Sequence, residues 1–501
     1  MKILILLVTG PRYDLFFSLA QHFKNTGHEV VIAADCRFSI EFNAVRSLGC
    51  EILNFEEVFA EMDRNPPAEV PVEYCTNNLN GGLLADFERD LCYQKQQSDS
   101  DYYLRLQVAL LRFFEAVIHG RGIDLVVYEG VSNAFAYYCM LVCRRRDVPF
   151  AGLQNARIPG HFVVVSDEIG YLRSHEQAFK EIRSGQREVP PELRNWSLHY
   201  LANEVCKAPD YMRTNTLSDL SLRRRYANVE KIRMAILVLK HSFRSHRHSA
   251  WRGSPLYFSY AQFRRKLGRR WRRAAVMRFY RSLELESKYL LYPLHFHPEA
   301  STSMQAGAYL NEADVIRTIA FSLPPGYILA VKDHLSAYAF PPVSFYQTLN
   351  ALPNVRVLSP FEDTRQLIRN AAAIITLTST VGFEALLLGK KVFLFGKVFY
   401  EFHRNVVKIG NPNELYRLFV RELSREADDS DEYNSDFLCA YRLAAHEGAL
   451  RFGGSESEMA EVCGAVAPVV LNLAGQPAAS KAQVSSGVNA GNQALTTKQI
   501  G

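Results

Sequence analysis

The chain has 501 residues, 48% of them hydrophobic and 22% charged. That composition suits two or three globular domains with full cores, and it excludes a disordered, collagen-like or disulfide-stapled chain. The net charge is only +6, so an anionic partner would have to be recognised by a local concentration of basic residues.

The nine cysteines include no CxxC pair, which argues against a zinc site and for reduced thiols in a cytoplasmic protein. Residues 3–8 form an apolar run too short for a secretory signal, read here as the first strand. No apolar run of about 20 residues is seen, so no membrane span is expected.

Apolar residues at helical spacing follow over 15–24, then an apolar strand at 29–33 with Asp35 at its end. This opens a Rossmann-like domain whose first turn lacks a GxGxxG cradle, so an acceptor suits it better than a dinucleotide. Residues 61–100, with paired prolines and Gly81-Gly82, read as an irregular insertion. An Asp-x-Asp triplet at 99–101 stands at the end of this insertion, away from the strand ends, so no metal site is expected. A helix at 104–119 leads to a buried strand at 123–128 that ends in Glu129-Gly130. A carboxylate followed by glycine at a strand's C-terminal end stands where open α/β sheets place ligand chemistry, although a simple turn carboxylate would look the same. Ser132 or Asn133 caps the next helix, and the strand at 149–153 ends in Gln154-Asn155-Ala156-Arg157.

Residues 243–278 are dense in arginine, with Trp251, Tyr257, Phe258, Tyr260, Phe263 and Trp271 interleaved. Such a segment suits an anionic membrane surface through Arg264, Arg265, Arg269, Arg270 and Trp271, or a solvated interdomain linker. No RNA- or DNA-binding module surrounds it, so no nucleic-acid partner is expected.

A second domain begins with the strand at 288–294, which runs into His295, His297 and Glu299. The strand at 327–331 ends in Lys332 and His334. Residues 373–400 read as strand, hydroxylated turn, helix, glycine turn and strand, with Ser379, Thr380 and Gly382 at the helix start and Glu384 just beyond. In a parallel sheet these three strand ends share one edge. A lysine, histidines and a hydroxylated helix N-terminus together suit a nucleotide phosphate. Residues 475–501 are small and polar and are expected to be disordered.

The stretches PLHFHPEAS (293–301), AVKDHL (330–335) and ITLTSTVGFEALLLGKKVFLFG (375–396) resemble the bacterial capsule polysaccharide biosynthesis proteins, GT-B glycosyltransferases that include the retaining β-Kdo transferases. The resemblance is strongest over 289–400, weaker over the first 155 residues, and does not extend to the arginine-rich segment or the tail. It implies a GT-B-like α/β fold, two Rossmann-like parallel-sheet domains facing a central cleft. The expected divisions are 1–240, 241–285, 286–425, 426–474 and 475–501. It further implies that Ser379 and Thr380 bind the donor phosphate at the Gly382 turn, that Lys332 and His334 approach that phosphate or the cytidine, and that Glu384 binds the ribose. His297, Pro298 and Glu299 would line the cleft. Glu129 would act as base or nucleophile, with His334 its catalytic counterpart. Two positions depart from the family pattern: Leu335 replaces a proline, and Tyr128 stands where a second acidic residue is usual.

The expected function is transfer of a sugar, such as Kdo from a CMP donor, to a glycan or lipid-linked acceptor in capsule or other surface polysaccharide assembly. The nucleotide sugar is substrate, and no further cofactor is called for. Alternatives are a UDP-sugar or CDP-polyol-phosphate transferase of the same fold, and a catalytically silent scaffold held at the inner membrane with other capsule assembly proteins.

Overall fold

The computed structural model describes residues 1–8, 14–64, 69–87, 100–166, 169–205, 229–244, 246–249, 254–284, 287–297, 299–427 and 430–475. The first turn at 9–13, Asp99, Trp251, Arg252, Pro298 and the tail from 476 lie outside them.

Two α/β domains carry separate sheets. The first sheet is built from β1 (Lys2–Leu7), β2 (Glu29–Ala34), β3 (Glu51–Asn54), β4 (Leu125–Tyr128), β5 (Phe150–Asn155) and β6 (His161–Val165). The second is built from β7 (Lys288–Pro293), β8 (Tyr327–Lys332), β9 (Val355–Leu358), β10 (Ala373–Thr376), β11 (Val392–Leu394) and β12 (Val406–Lys408). A short strand, β13 (His446–Glu447), returns to the first sheet.

The second sheet has order β12-β11-β10-β7-β8-β9 and every pairing in it is parallel. This is the doubly wound order of a Rossmann domain, and its topological switch point lies between β7 and β10. The central strands are apolar and buried on both faces, as helices on both sides require. The first sheet repeats that order over β3-β2-β1-β4-β5. It departs from the expected parallel sheet at one edge, where β6 and β13 are antiparallel. The turn after Asn155 is too short for a crossover, so β6 can only fold back on β5.

Residues 61–100 are less irregular than their composition suggests. Among its described residues, the end of the helix Phe55–Arg64 and the helix Leu79–Phe87 are regular. Gly82 permits close packing: a Cβ there would meet Cε1 of Tyr137 at 2.8 Å, while Tyr137 and Tyr138 donate to the carbonyls of Asn78 and Leu79 at 3.0 and 2.8 Å.

The C-terminal segment crosses back. The helix Asp431–Ala444 packs on the helices Arg173–Arg183 and Pro191–Asn203, and Glu456–Gly475 packs on Asp14–Asn25. By length and composition Glu456–Gly475 is apolar enough to cross a membrane. Here its Met459, Val462, Cys463, Val466, Ala467 and Val470 belong to the first domain's core.

The arginine-rich segment contains one continuous helix, Pro255–Met277, capped by Ser254 and entered through Pro255. Its inner face docks on the second domain. Arg265 donates to the carbonyl of His297, and Arg269 Nε to that of Tyr338 at 2.9 Å. Arg272 donates to the carbonyls of Ala339 and Phe340 at 3.0 and 3.1 Å. The Arg265 and Arg269 guanidiniums lie 4.6 and 4.3 Å from the Phe340 ring centroid, which fixes them further. Both had been expected on a membrane-facing surface. They turn inward because guanidinium matches the carbonyl-rich, aromatic loop at 338–340. Arg264, Arg270 and Trp271 stay on the exposed side, Trp271 at 76%.

Candidate functional site

The site is assembled at the switch point of the second sheet. β7 delivers His295, and β10 delivers Thr376 and the turn to Ser379. The two strands are paired with Ala373 opposite Leu290 and Ile374 opposite Leu291. Adjacent parallel strands whose crossovers leave in opposite directions open a crevice at their C-terminal ends.

The floor of this crevice is a buried polar network. His295 Nε2 accepts from the backbone N–H of Thr378 at 3.2 Å and lies 3.2 Å from Thr376 Oγ1. Because a backbone N–H points at Nε2, the proton sits on Nδ1, which donates to Glu312 at 2.7 Å. Glu312 also accepts from Tyr292 Oη at 3.0 Å, the N–H of His295 at 3.1 Å and His297 Nε2 at 3.2 Å. Burial pushes this carboxyl up, yet the two imidazoles bonded to it more than offset that and hold it at about 2. Glu312 therefore stays ionised and fixes both histidines.

Ser379 caps the helix Thr380–Leu387. Its Oγ accepts from the N–H of Val381 at 3.2 Å, and its own N–H donates to Thr376 Oγ1 at 2.9 Å. The hydroxyl keeps its proton for a ligand oxygen. The Ser379 carbonyl accepts from Tyr400 Oη at 2.6 Å. Gly382 lets the helix approach: a Cβ there would lie 3.0 Å from Cζ of Tyr400 and 3.2 Å from Cγ2 of Thr376. Beside this turn Thr378 Oγ1 is buried without a hydrogen-bond partner. A hydroxyl in that state calls for a ligand oxygen or a water.

Lys332 and His334 leave the neighbouring strand β8. Lys332 Nζ donates to the carbonyl of Pro360 at 3.1 Å. Burial pulls this ammonium below its ordinary value, and the charges of Asp333, Glu362 and Glu384 only partly restore it. Glu384 is on the helix capped by Ser379. Asp333 is buried and accepts from Tyr280 and Tyr346 at 2.7 and 2.8 Å and from the N–H of His334 at 2.7 Å, so it sets the loop. His334 Nδ1 accepts from the N–H of Ser336 at 3.2 Å. Burial, then the nearby His295 and Lys332, lower its pKa to about 4. His334 is thus neutral at pH 7 with its proton on Nε2, a hydrogen-bond donor rather than an acid. Leu335, which follows it, is exposed.

Glu129 lies on the other domain, past β4. Its Oε1 accepts from Ser132 Oγ at 2.7 Å. Gly130 has φ of 104°, a conformation that strains any residue with a side chain, so glycine suits the turn that presents the carboxylate. Tyr128 is core: it is buried, stacks on Phe16 with centroids 5.6 Å apart, and its hydroxyl accepts from Asn133 Nδ2 at 3.2 Å.

Arg157 follows β5 of the first sheet. Its N–H donates to Tyr441 Oη at 2.8 Å. Burial raises Tyr400 well above its ordinary value, Arg157 opposes this and Glu384 adds to it, so Arg157 lies within electrostatic reach of the Ser379 corner. His297, Lys332, His334, Ser379, Thr380, Gly382 and Glu384 are thus gathered on one domain. Glu299 lies on the same loop with its side chain exposed, and its carbonyl accepts from the N–H groups of Thr302 and Ser303. Arg264, Arg270 and Trp271 are not part of the crevice. Sequence reading missed His295, Glu312, Asp333 and Tyr400 as site residues. The H-F-H alternation at 295–297 was the one local hint. Glu312 had none, since its partners lie 15 to 20 residues away.

The chain resembles the capsule polysaccharide biosynthesis proteins, whose family model matches residues 190–404. That match spans the motifs at 293–396 and also the arginine-rich helix, which the sequence reading had left outside the resemblance; the first 155 residues are not in it. Curated proteins give no match. Among solved structures, the β-Kdo 2,4 transferase of Thermosulfurimonas dismutans is 15% identical, with 70% of this chain and 88% of that chain covered at a TM-score of 0.34. The UDP-GlcNAc 2-epimerase of Methanocaldococcus jannaschii is 14% identical, with 88% and 99% covered at a TM-score of 0.26. The Neisseria meningitidis epimerase bound to UDP-GlcNAc is 13% identical, with 94% and 100% covered at 0.26. Likenesses of this size leave the reading to the geometry of the site.

Proposed function

We propose that the protein is a nucleotide-sugar-dependent glycosyltransferase of capsule or other surface polysaccharide assembly, and that its donor is a CMP-linked acidic sugar such as Kdo. The observation that carries this reading is the corner formed by the capped Thr380–Leu387 helix, Lys332 and neutral His334 at a switch point. In it the donor phosphate sits beside the helix N-terminus, where the positive end of the helix dipole and the Ser379 hydroxyl face it. Lys332 and the Nε2–H of His334 stabilise the charge that grows on the leaving phosphate. Glu384 takes the ribose hydroxyls, and Glu129 acts on the acceptor or the anomeric carbon. No cofactor beyond the nucleotide sugar is invoked. The acceptor is a glycan or lipid-linked glycan.

Thermal melting with CMP, CDP, UDP and GDP tests the donor. A nucleotide at 100 times its dissociation constant stabilises by about 2.7 kcal/mol. CMP is expected to raise the melting temperature, and Ser379→Ala to remove the shift. A shift with UDP or CDP alone would replace the donor. No shift with any nucleotide would favour a silent scaffold.

The same reading puts the protein in the cytoplasm, on the inner membrane's anionic face. The outer side of Pro255–Met277 shows Tyr260, Phe263, Leu267 and Trp271 with Arg264 and Arg270 beside them. Flotation with phosphatidylglycerol vesicles at low salt is expected, and its loss in an Arg264→Glu, Arg270→Glu, Trp271→Ser variant. A protein that ignores such vesicles sinks this part.

A further inference from the structure

The inner face of the helix Pro255–Met277 is a stripe. Arg265, Arg269 and Arg272 stand four and three residues apart and continue to Val276, which is buried in the second domain's core. Arg264 and Arg270, on the same helix, are exposed.

The stripe grips the two loops that carry the site histidines. On the loop after β7, Arg265 donates to the carbonyl of His297. On the loop after β8, Arg269 reaches the carbonyl of Tyr338, and Arg272 reaches those of Ala339 and Phe340. The turn held in this way is strained. Ala339 has φ of 62°, a left-handed conformation that a non-glycine residue keeps only where its surroundings fix it. Ala339 is buried, its N–H donates to Tyr346 Oη at 3.0 Å, and Arg272 Nε donates to its carbonyl. Just past the helix, Tyr280 donates to Asp333 Oδ2 at 2.7 Å, and Asp333 Oδ1 accepts from the N–H of His334. One stretch of chain, 265–280, therefore holds the His334 loop at both ends. Ring contacts complete the path. Arg265 and Arg269 lie over the Phe340 ring, Phe340 meets Phe296 with centroids 6.2 Å apart, and Phe296 meets the His334 ring at 5.9 Å.

We infer that Arg265, Arg269 and Arg272 are positioning residues of the nucleotide site, which fix the His297 and His334 loops so that the His334 imidazole faces the donor phosphate. The inference rests on the transferase reading for what His334 faces, and on the bonds above for the positioning. Arginine is the residue such a role needs. Its fork donates to two carbonyls at once, as Arg272 does, and its flat face packs on an aromatic ring, as Arg269 does on Phe340. The charge of Arg269 adds to this: after burial, His295 and Lys332, and against Glu312, it helps to keep His334 neutral.

The test is a double-mutant cycle in the full chain, read by calorimetric binding of CMP. Arg272→Met keeps the stem of the side chain and removes its donors. It is expected to weaken binding about tenfold, within the range for residues coupled through one network. His334→Ala also weakens binding, and adding Arg272→Met to it is expected to cost nothing more, because the arginine acts through the imidazole. Losses that add in the double variant would overturn the inference, since they would mark an arginine that supports the fold in general. Arg269→Met, which leaves both Arg272 bonds in place, runs the same cycle if Arg272→Met fails to fold. Arg270→Met, on the outer side of the helix, is expected to bind as the parent does; an equal loss there would reduce the effect to net charge and overturn the inference too. A readout without nucleotide separates it from the transferase reading. In the NMR spectrum of protein with isotope-labelled histidine, the His334 resonance is identified by its absence from His334→Ala. It is expected to move in Arg272→Met and to stay in Arg270→Met. A His334 resonance unmoved by Arg272→Met would overturn the inference whether or not CMP binds, whereas a parent that binds no nucleotide would overturn the transferase reading alone.

Discussion

Replacing Glu129 by alanine is expected to lower turnover by about 10²–10⁴-fold, the usual contribution of a positioned acid or base, without changing the melting temperature or the nucleotide-induced shift. The stability half of this expectation follows from what the side chain touches. Its one described hydrogen bond is from Ser132 Oγ at 2.7 Å, and Ser132 Oγ also accepts from Asn133 Nδ2 at 3.0 Å. Losing a single partly solvated bond costs about 1 kcal/mol, well within the stability of a domain this size. The activity half follows from place. The carboxylate stands at the C-terminal end of β4, next to the first sheet's switch point, on a glycine turn whose φ of 104° strains any residue with a side chain. Glu129→Gln separates shape from charge, because the amide oxygen still accepts from Ser132. If Glu129 supplies charge or takes a proton, glutamine is as inactive as alanine. Full turnover in either variant, measured with whichever donor the melting experiment identifies, would remove Glu129 from the chemistry.

The strands and most helices were legible because they follow local rules. Residues 3–8, 288–294 and 373–377 are short apolar runs bounded by polar residues, and each is a buried strand. The polar clusters at the ends of β7, β8 and β10 were legible for the same reason: once the sheet is parallel, its C-terminal edge is shared. What resisted reading was long-range or dual in meaning. Gly81 and Gly82 look like loop residues, and Gly82 is instead a packing notch against Tyr137. Arg265 and Arg269 look no different from Arg264 and Arg270, and only the position of the 338–340 loop separates inward from outward arginines. The return of the C-terminal helices to the first domain depends on surfaces made by distant segments.

The same distinction explains why the most consequential residue of the crevice's polar floor went unseen. Glu312 begins an amphipathic helix, where an acidic residue is ordinary. In the fold it is buried, and it accepts from Tyr292, from both the backbone and ring of His295, and from His297. Glu312→Ala strands the Tyr292 and His295 donors away from water, while half-buried His297 can turn to solvent. The expected loss is about 3–5 kcal/mol, the cost of breaking a buried charged network from one side. Denaturant unfolding measures it directly. Glu312→Gln distinguishes scaffold from chemistry. Its amide oxygen can keep the Tyr292 and His295 bonds on the Oε1 side, while its NH₂ faces His297, which can turn its lone pair to accept. The glutamine variant is therefore expected to lose less stability than alanine. It should nevertheless weaken nucleotide binding, because His295 holds the Thr378 N–H, Thr376 meets the Ser379 N–H, and an error in the imidazole passes through both to the phosphate corner. A glutamine variant with an intact nucleotide shift would confine Glu312 to stability. An alanine variant as stable as the parent would mean that the donors find other partners, and that the network does not hold the crevice.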